Sequence, residues 1–100
     1  MKKTILTAAT ALLVSMTASA DRTGQEVYNT KCAMCHAAGV ANAPKFGDAA
    51  AWSSRAAMGL DALTASAMKG KNAMPPKGMC MDCNEAEIKA SIAYMLDNSK

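Results

Sequence analysis

The sequence predicts a small all-α domain of about four short helices, with long loops between them. Capping-box patterns stand at the start of two segments, and apolar residues recur at helical spacing after the second pattern. No segment alternates polar and apolar residues for long enough to indicate a strand. No internal repeat is visible, so we expect a single domain after the N-terminal leader.

The first twenty residues have the composition of a secretory signal peptide. Met1-Lys2-Lys3 is a short basic start, Thr4 to Val14 is mostly apolar, and Ala18-Ser19-Ala20 is a small-residue cleavage site. An uncleaved anchor is the alternative, but the apolar run is shorter than the ~20 residues that a membrane span requires. We therefore expect a signal peptide at 1–20 and a periplasmic mature domain at 21–100 that is not stably inserted in a membrane.

The first and last helices are marked by their caps. Thr23-Gly24-Gln25-Glu26 predicts a helix that continues into a pair of cysteines, and Asn84-Glu85-Ala86-Glu87 predicts one that ends near Asn98. Gly24 should face the apolar stripe of the last helix and let the two backbones cross closely, with Tyr28 and Tyr94 at the sides of the crossing.

The middle of the chain contains two alanine-rich stretches, 48–58 and 61–69, which are good helix formers and stop at Gly59 and Gly70. They predict two short helices. Two segments rich in glycine and proline remain, 37–47 and 70–83. We expect both to be loops that wrap a bound group.

The chemistry is indicated by Cys32-Ala33-Met34-Cys35-His36, because C-x-x-C-H is the spacing that attaches a c-type haem. Residues three apart share one face of a helical turn, so both sulfurs can reach one porphyrin edge while the next residue places its imidazole under the iron. His36 is the only histidine of the chain. A thioredoxin-like C-x-x-C would require a βαβ setting, which the sequence does not provide. We expect one covalently bound haem.

A methionine is the leading candidate for the second axial position on the iron. Candidates outside the leader are Met34, Met58, Met68, Met74, Met79, Met81 and Met95. Met34 lies on the attachment turn, and the three methionines in helical stretches are more simply explained as core filler. Met74 is favoured over Met79 and Met81 because it precedes Pro75-Pro76, which restricts its backbone and stiffens the loop.

Three residues are expected around the haem. His36 needs a partner for its other ring nitrogen, and the carbonyl of Pro44 is at loop distance. Trp52 and Phe46 are half of the four aromatic residues and are expected to line the haem. The Trp52 N–H is also a candidate to reach a haem propionate.

Cys80-Met81-Asp82-Cys83 could form a disulfide, remain a thiol pair or supply half of a metal site. No further cysteine or histidine remains to complete a zinc site. Export permits a disulfide, which would brace the loop that carries Met74 and join it to the last helix.

The charge balance predicts that the protein does not bind nucleic acid. The chain carries +3, and loss of Lys2 and Lys3 with the leader leaves +1. Lys69, Lys71 and Lys77 flank the Met74 loop and Lys45 lies in the opposite loop. They are either a solvated face or a docking ring that steers an acidic redox partner to the haem edge.

Two runs resemble a known family. C-A-M-C-H-A-A-G-V-A-N-A-P-K-F-G-D at 32–48 and A-M-P-P-K-G-M-C-M-D-C at 73–83 resemble the cytochrome c5 group of bacterial class I c-type cytochromes. The resemblance implies a small monohaem cytochrome c fold over 21–100, with thioether bonds at Cys32 and Cys35. It also implies that His36 and Met74 are the axial ligands and that Cys80 and Cys83 form a disulfide.

The resemblance implies one-electron transfer in the periplasm. A six-coordinate iron offers no position for a substrate, so we expect a carrier and not an enzyme. Two alternatives remain open. A haem enzyme or gas sensor would have a labile sixth ligand, and a cytochrome subunit of a larger respiratory complex would have the same site and a permanent protein contact.

Overall fold

A computed structural model describes residues 21–100, and the predicted signal peptide at 1–20 lies outside them. The helices are α1 (Gly24–Val27), α2 (Ala33–His36), α3 (Ala49–Ala56), α4 (Leu60–Lys69) and α5 (Glu85–Asp97). A π-helical segment, Tyr28–Cys32, joins α1 to α2 without a break. Short 3-10 turns at Val40–Asn42 and Pro76–Met79 lie in the two long loops. The predicted all-α fold with four helical stretches is confirmed for the described residues.

Both predicted capping boxes are present. Thr23 Oγ1 accepts a hydrogen bond from the Glu26 N–H at 3.1 Å, and the Thr23 N–H donates to Glu26 Oε1 at 3.3 Å. At α5, Asn84 Oδ1 accepts from the Glu87 N–H at 2.8 Å, and the Asn84 N–H donates to Glu87 Oε1 at 3.0 Å. Each pair satisfies backbone donors that the first turn of a helix leaves unpaired.

α3 and α4 lie close to their predicted positions. Asp48 caps α3, where its Oδ1 accepts from the Ala51 N–H at 3.0 Å. Gly70 ends α4 with φ of +93°, and a Cβ there would lie 2.9 Å from the nitrogen of Pro76. Only glycine allows the chain to leave the helix and fold back against Pro76 at this distance.

The close crossing of the first and last helices is confirmed. A Cβ at Gly24 would overlap the carbonyl oxygen of Ala90 and would lie 2.6 Å from its carbonyl carbon. The Tyr28 and Tyr94 rings lie beside the crossing with centroids 5.6 Å apart. Because Gly24 has no side chain, α1 can pack directly against the backbone of α5.

The core is built on one face of α5. α5 packs against both α1 and α4, and Ile88, Ile92 and Met95 are buried on it. Val27 of α1 and Ala67 of α4 belong to the same buried core, which also contains Tyr28, Trp52, Cys80 and Cys83. This arrangement leaves room between α5 and the two long loops. Among residues 21–100, no helix is long and apolar enough to cross a membrane.

Candidate functional site

A cavity of about 770 Å³ lies among the helices and the two long loops. Residues that the sequence singled out line it: Cys32, Cys35, His36, Pro44, Trp52 and Met74. Ile88, Ile92 and Met95 provide apolar lining from α5. Within residues 21–100 no aspartate or glutamate lines this cavity. An apolar interior without carboxylates suits a large flat apolar group that carries negative charge at its edge.

His36 is held in one tautomer. Its side chain is buried, and Nδ1 lies 2.8 Å from the carbonyl oxygen of Pro44. A carbonyl only accepts hydrogen bonds, so Nδ1 carries the proton and Nε2 keeps a lone pair for a metal. The Phe46 N–H donates to the His36 carbonyl oxygen at 2.7 Å, which ties this loop to α2. The contact between His36 and the Pro44 carbonyl that the sequence predicted is therefore present in the structure.

Cys32 and Cys35 lie one helical turn apart and line the same cavity. Cys32 ends the π-helical segment, and Cys35 belongs to α2. Neither thiol is in a disulfide. Burial raises the pKa of the Cys32 thiol above its ordinary value, and hydrogen bonding with Ser91 opposes this rise. Both thiols and the imidazole are therefore brought to one cavity by one continuous helical stretch.

Met74 is held by a tight turn. The Lys71 N–H donates to the Met74 carbonyl at 2.9 Å, and the Met74 N–H donates to the Lys71 carbonyl at 2.8 Å. The Met74 methyl carbon would lie only 3.4 Å from a Cβ at Gly78. This backbone pairing and the small residue beside it fix a half-buried thioether in the cavity wall.

The competing loop methionines are more exposed. Met79 lines the cavity but is 69% exposed, and Met81 is 75% exposed and does not line it. Met79 also has φ of +71°, a left-handed conformation that is uncommon for residues other than glycine. Met74 is therefore the better placed of the three for a buried iron, and Met81 is the worst.

Cys80 and Cys83 form a disulfide, with Cα atoms 5.4 Å apart. Both residues are buried in the core. Asp82 lies next to the two sulfurs, but sulfurs bonded to each other are not available as thiolate ligands. Lys77 Nζ donates to the Cys83 carbonyl at 2.9 Å, so a further contact closes the same loop.

Arg22 joins the start of the mature domain to this disulfide loop and to α5. Its Nε and Nη2 donate to the Glu87 carboxylate at 2.9 and 3.2 Å, and Nη2 also donates to the Asp82 carbonyl at 3.3 Å. Hydrogen bonds from Arg22, and from the Asn84 backbone, lower the pKa of Glu87 to about 2. Glu87 therefore stays ionised while it caps α5.

Known proteins match this chain over most of its length. The family model described as "Cytochrome C oxidase, cbb3-type, subunit III" matches residues 19–95. Cytochrome c5 of Azotobacter vinelandii is 51% identical over 76 residues, which cover 74% of this chain and 92% of the relative. Cytochrome c5 of Ectopseudomonas mendocina is 47% identical over 76 residues, covering 74% of this chain and 87% of the relative. The chain belongs to the cytochrome c5 family.

A solved structure agrees with this assignment. A chain in a structure described as an electron transfer complex of nitrite reductase with cytochrome c is 48% identical, with a TM-score of 0.75. The match covers 82% of this cytochrome and all of that chain. The protein is thus a small monohaem cytochrome c that acts in electron transfer, and its cofactor is one covalently attached haem c.

The residues of the cavity fit that cofactor. Two thiols and an imidazole with a free Nε2 occur in the attachment order on one helical stretch, and a thioether enters from a separate loop. Thiols, imidazole and thioether are the donors that c-type haem uses for attachment and axial ligation. The absence of carboxylates among the described lining residues also fits, because the haem brings its own.

The two predicted aromatic contacts differ in outcome. Trp52 is buried and lines the cavity, with its ring centroid 5.9 Å from that of His36. Its N–H donates to the Lys45 carbonyl at 3.1 Å and so is already paired with protein. Phe46 is not part of the lining; it packs on Tyr28 at 4.7 Å and Tyr94 at 5.4 Å between ring centroids. Packing against these two tyrosine rings therefore places Phe46 behind the residues that line the cavity.

The lysines near the cavity are not equivalent. Lys45, Lys69 and Lys71 are exposed, and Lys71 also lines the cavity. Lys77 is half-buried, and its ammonium donates a hydrogen bond to the Cys83 carbonyl. Lys77 therefore has a contact within its own loop that the sequence did not predict.

Two arginines were missed by sequence reasoning. Arg22 precedes the first cap, and its partner Glu87 is 65 residues away, so no local pattern could indicate the pair. Arg55 lines the haem cavity from α3. A signal for Arg55 was present, because it stands three residues after Trp52 and therefore shares its helix face.

Proposed function

We propose that the mature protein is a periplasmic electron carrier in which His36 and Met74 are the axial ligands and Cys32 and Cys35 hold the haem by thioether bonds. The main support for this proposal is that all four residues line one cavity. In addition, the His36 Nδ1–H donates to the Pro44 carbonyl oxygen, which leaves Nε2 available to the iron. The signal-peptide composition of 1–20 supports the location. When bound, the haem iron supplies a reversible one-electron couple.

The chain's own task is to keep the site the same in both oxidation states. Pro44 fixes the imidazole, and the Lys71–Met74 pairing fixes the backbone of the thioether residue. Pro75 and Pro76 then restrict the chain beyond it. Ligands held in this way change position little when one electron arrives or leaves, which favours fast transfer.

Two protein ligands leave no position on the iron for a substrate, so we propose a carrier and not an enzyme or gas sensor. The test is the visible spectrum of the oxidised and reduced protein, recorded with and without carbon monoxide. A c-type spectrum that carbon monoxide leaves unchanged is expected. Rapid carbon monoxide binding by the reduced protein would contradict the proposal and favour the enzyme or sensor.

A permanent subunit of a respiratory complex is the second candidate, because the matching family model is described as an oxidase subunit. Exposed apolar side chains at the cavity, Met34, Val40 and Met79, are compatible with a protein contact. Gel filtration of the isolated mature protein separates the candidates. A carrier elutes as a soluble monomer, whereas a subunit elutes with self-association or requires its complex.

We further propose that Lys69 and Lys71 steer an acidic redox partner to the face that carries Met34, Val40 and Met79. The similar cytochrome in the nitrite reductase complex supports partners of the redox-protein class. Because exposed charges are screened within ~8–10 Å at physiological ionic strength, association should slow as salt rises. Lys71→Gln should weaken the salt dependence of the association rate more than Lys77→Gln does, because the Lys77 ammonium is already hydrogen-bonded to the Cys83 carbonyl. Rates that are flat in salt would contradict the steering role.

A further inference from the structure

The disulfide loop, residues 76–83, is hydrogen-bonded to a distant part of the chain through Arg22. The Nη2 of Arg22 donates to the Asp82 carbonyl at 3.3 Å and lies 3.5 Å from the Cys83 sulfur and 4.0 Å from the Cys80 sulfur. In the described part of the chain, the other hydrogen bonds of this loop run to residues within 75–83. The disulfide joins residues only three apart, so it stiffens the loop without tying it to another segment.

Arg22 is itself fixed on α5 by the Glu87 carboxylate. Its Nε and Nη2 donate to the two carboxylate oxygens at 2.9 and 3.2 Å, and its backbone N–H donates to Oε2 at 3.0 Å. The Glu87 side chain is only 7% exposed. Bidentate, charge-assisted hydrogen bonds are among the strong ones in proteins, and burial protects them from screening by salt. The guanidinium therefore joins the start of α5 to the disulfide loop.

Neutralising Glu87 does not by itself explain this arrangement. A buried carboxylate needs a cation beside it, and an ammonium would supply that charge. An ammonium is a compact point charge, whereas a guanidinium is a rigid fork with five donors. Because of this shape, Nη2 reaches the Asp82 carbonyl and the sulfurs while it also bonds Glu87. The contacts with the loop are thus additional to the charge pair.

Short contacts lead from the disulfide back to Met74. The Cys83 carbonyl accepts from Lys77 Nζ at 2.9 Å, and the Cys80 N–H donates to the Lys77 carbonyl at 3.0 Å. Gly78 comes next in the chain, and the Met74 methyl carbon lies 3.4 Å from the position that a Cβ would take there. A displacement of the loop at Cys83 therefore reaches the turn against which the thioether packs.

We propose that Arg22 is a positioning residue for the axial thioether: it holds the disulfide loop on α5 and thereby keeps Met74 on the iron. This inference rests on the proposed ligation by Met74. Arg22 does not line the haem cavity and acts only through the loop. Its effect should be greatest in the oxidised protein, because a thioether favours the ferrous state and is held less strongly by ferric iron.

The test measures how often Met74 leaves the iron in the oxidised, haem-loaded protein under native conditions. Neutral imidazole at low concentration binds at a rate proportional to the fraction of molecules whose sixth position is open. Arg22→Gln should raise this rate about tenfold, which corresponds to one charge-assisted hydrogen bond lost from the loop. Arg22→Lys keeps the charge but not the fork, and it should also bind imidazole faster than the unmodified protein.

Two control variants separate this effect from charge and from overall stability. Lys89→Gln makes the same charge change on α5, where Lys89 pairs with Asp61 at 3.0 Å away from the cavity lining. Gly24→Ala strains the helix crossing without touching the loop. Both should bind imidazole at the unmodified rate, because global unfolding contributes little to the open fraction. Denaturant unfolding followed by circular dichroism measures the overall stability of every variant.

Imidazole binding by Arg22→Gln at the rate of the two controls would overturn the proposal. A full return of the unmodified rate in Arg22→Lys would do the same, since a positive charge alone would then suffice. If Arg22→Gln does not fold, the rate in Arg22→Lys decides. The far-red sulfur-to-iron band of the unmodified protein separates the two proposals. Its absence would contradict ligation by Met74, whereas its presence together with equal rates would contradict only the role of Arg22.

Discussion

At the scale of single residues, the identity of the second axial ligand decides the chemistry. Met74 is half-buried in the cavity wall, whereas Met79 and Met81 are largely exposed. A thioether opposite an imidazole favours the ferrous state and closes the iron to other molecules. The choice between the three methionines can therefore be read from one variant of each.

Met74→Ala should lower the reduction potential, abolish the weak far-red sulfur-to-iron band of the oxidised protein, and open the reduced iron to carbon monoxide. Absorption spectra and redox titration measure all three. Met79→Ala and Met81→Ala are the matched controls and should leave them nearly unchanged. A far-red band that survives in Met74→Ala and disappears in Met79→Ala would move the ligand to Met79.

Glu87 is the residue whose charge links stability to pH. Its pKa in the fold is about 2, below the ordinary 4.5, because Arg22 and backbone N–H groups bond its ionised form. The stability it contributes is therefore complete above about pH 4.5 and is lost as pH falls towards 2. Denaturant unfolding at several pH values should show this loss, and Glu87→Gln should be less stable at pH 7 with a shallower decline in acid. An equally steep acid decline in Glu87→Gln would contradict the assignment.

At the scale of elements, the crossing of α1 over α5 depends on Gly24. Gly24→Ala should destabilise the protein by about 1–3 kcal/mol, because the added methyl meets the backbone carbonyl of Ala90 and not a flexible side chain. Gln25→Ala, an exposed change on the same helix, should have little effect. Thermal or denaturant unfolding gives the comparison. Equal stability of Gly24→Ala and the unmodified protein would show that the helices can shift apart at no cost.

At the scale of the whole molecule, the haem is part of the core. The buried side chains of Ile88, Ile92, Met95 and Trp52 all face the cavity of about 770 Å³. An 80-residue domain buries only about 60% of its unfolded surface and is marginally stable without a staple. An unfilled space of this size removes the contacts on one side of five of the nine buried apolar residues among 21–100, the four above and Ala67.

The variant with Cys32→Ala and Cys35→Ala should therefore be exported but largely unfolded, as judged by circular dichroism. Met34→Ala, which changes an exposed residue inside the same motif, should still attach haem and fold. A cooperative, fully helical thermal melt of the double cysteine variant would show that the polypeptide core is sufficient without haem.

The sequence by itself determined the features that depend on neighbouring residues. Both capping boxes join side chains and backbone three residues apart, so Thr23–Glu26 and Asn84–Glu87 could be predicted without the fold. The attachment motif and the all-α class were predictable for the same reason. The crossing at Gly24 joins distant segments, and it was predictable because a residue without a side chain faces the apolar stripe of the last helix.

Tertiary structure decided the contacts between distant segments. Phe46 packs on Tyr28 and Tyr94 and does not line the cavity. The Lys77 ammonium donates to the Cys83 carbonyl, and the Trp52 N–H donates to the Lys45 carbonyl. The pairing of Arg22 with Glu87 and the position of Arg55 in the wall of the haem cavity also followed from packing. A side chain's sequence neighbours determine which helix it stands on, but its partner depends on which surfaces the packed helices bring within hydrogen-bonding or van der Waals distance.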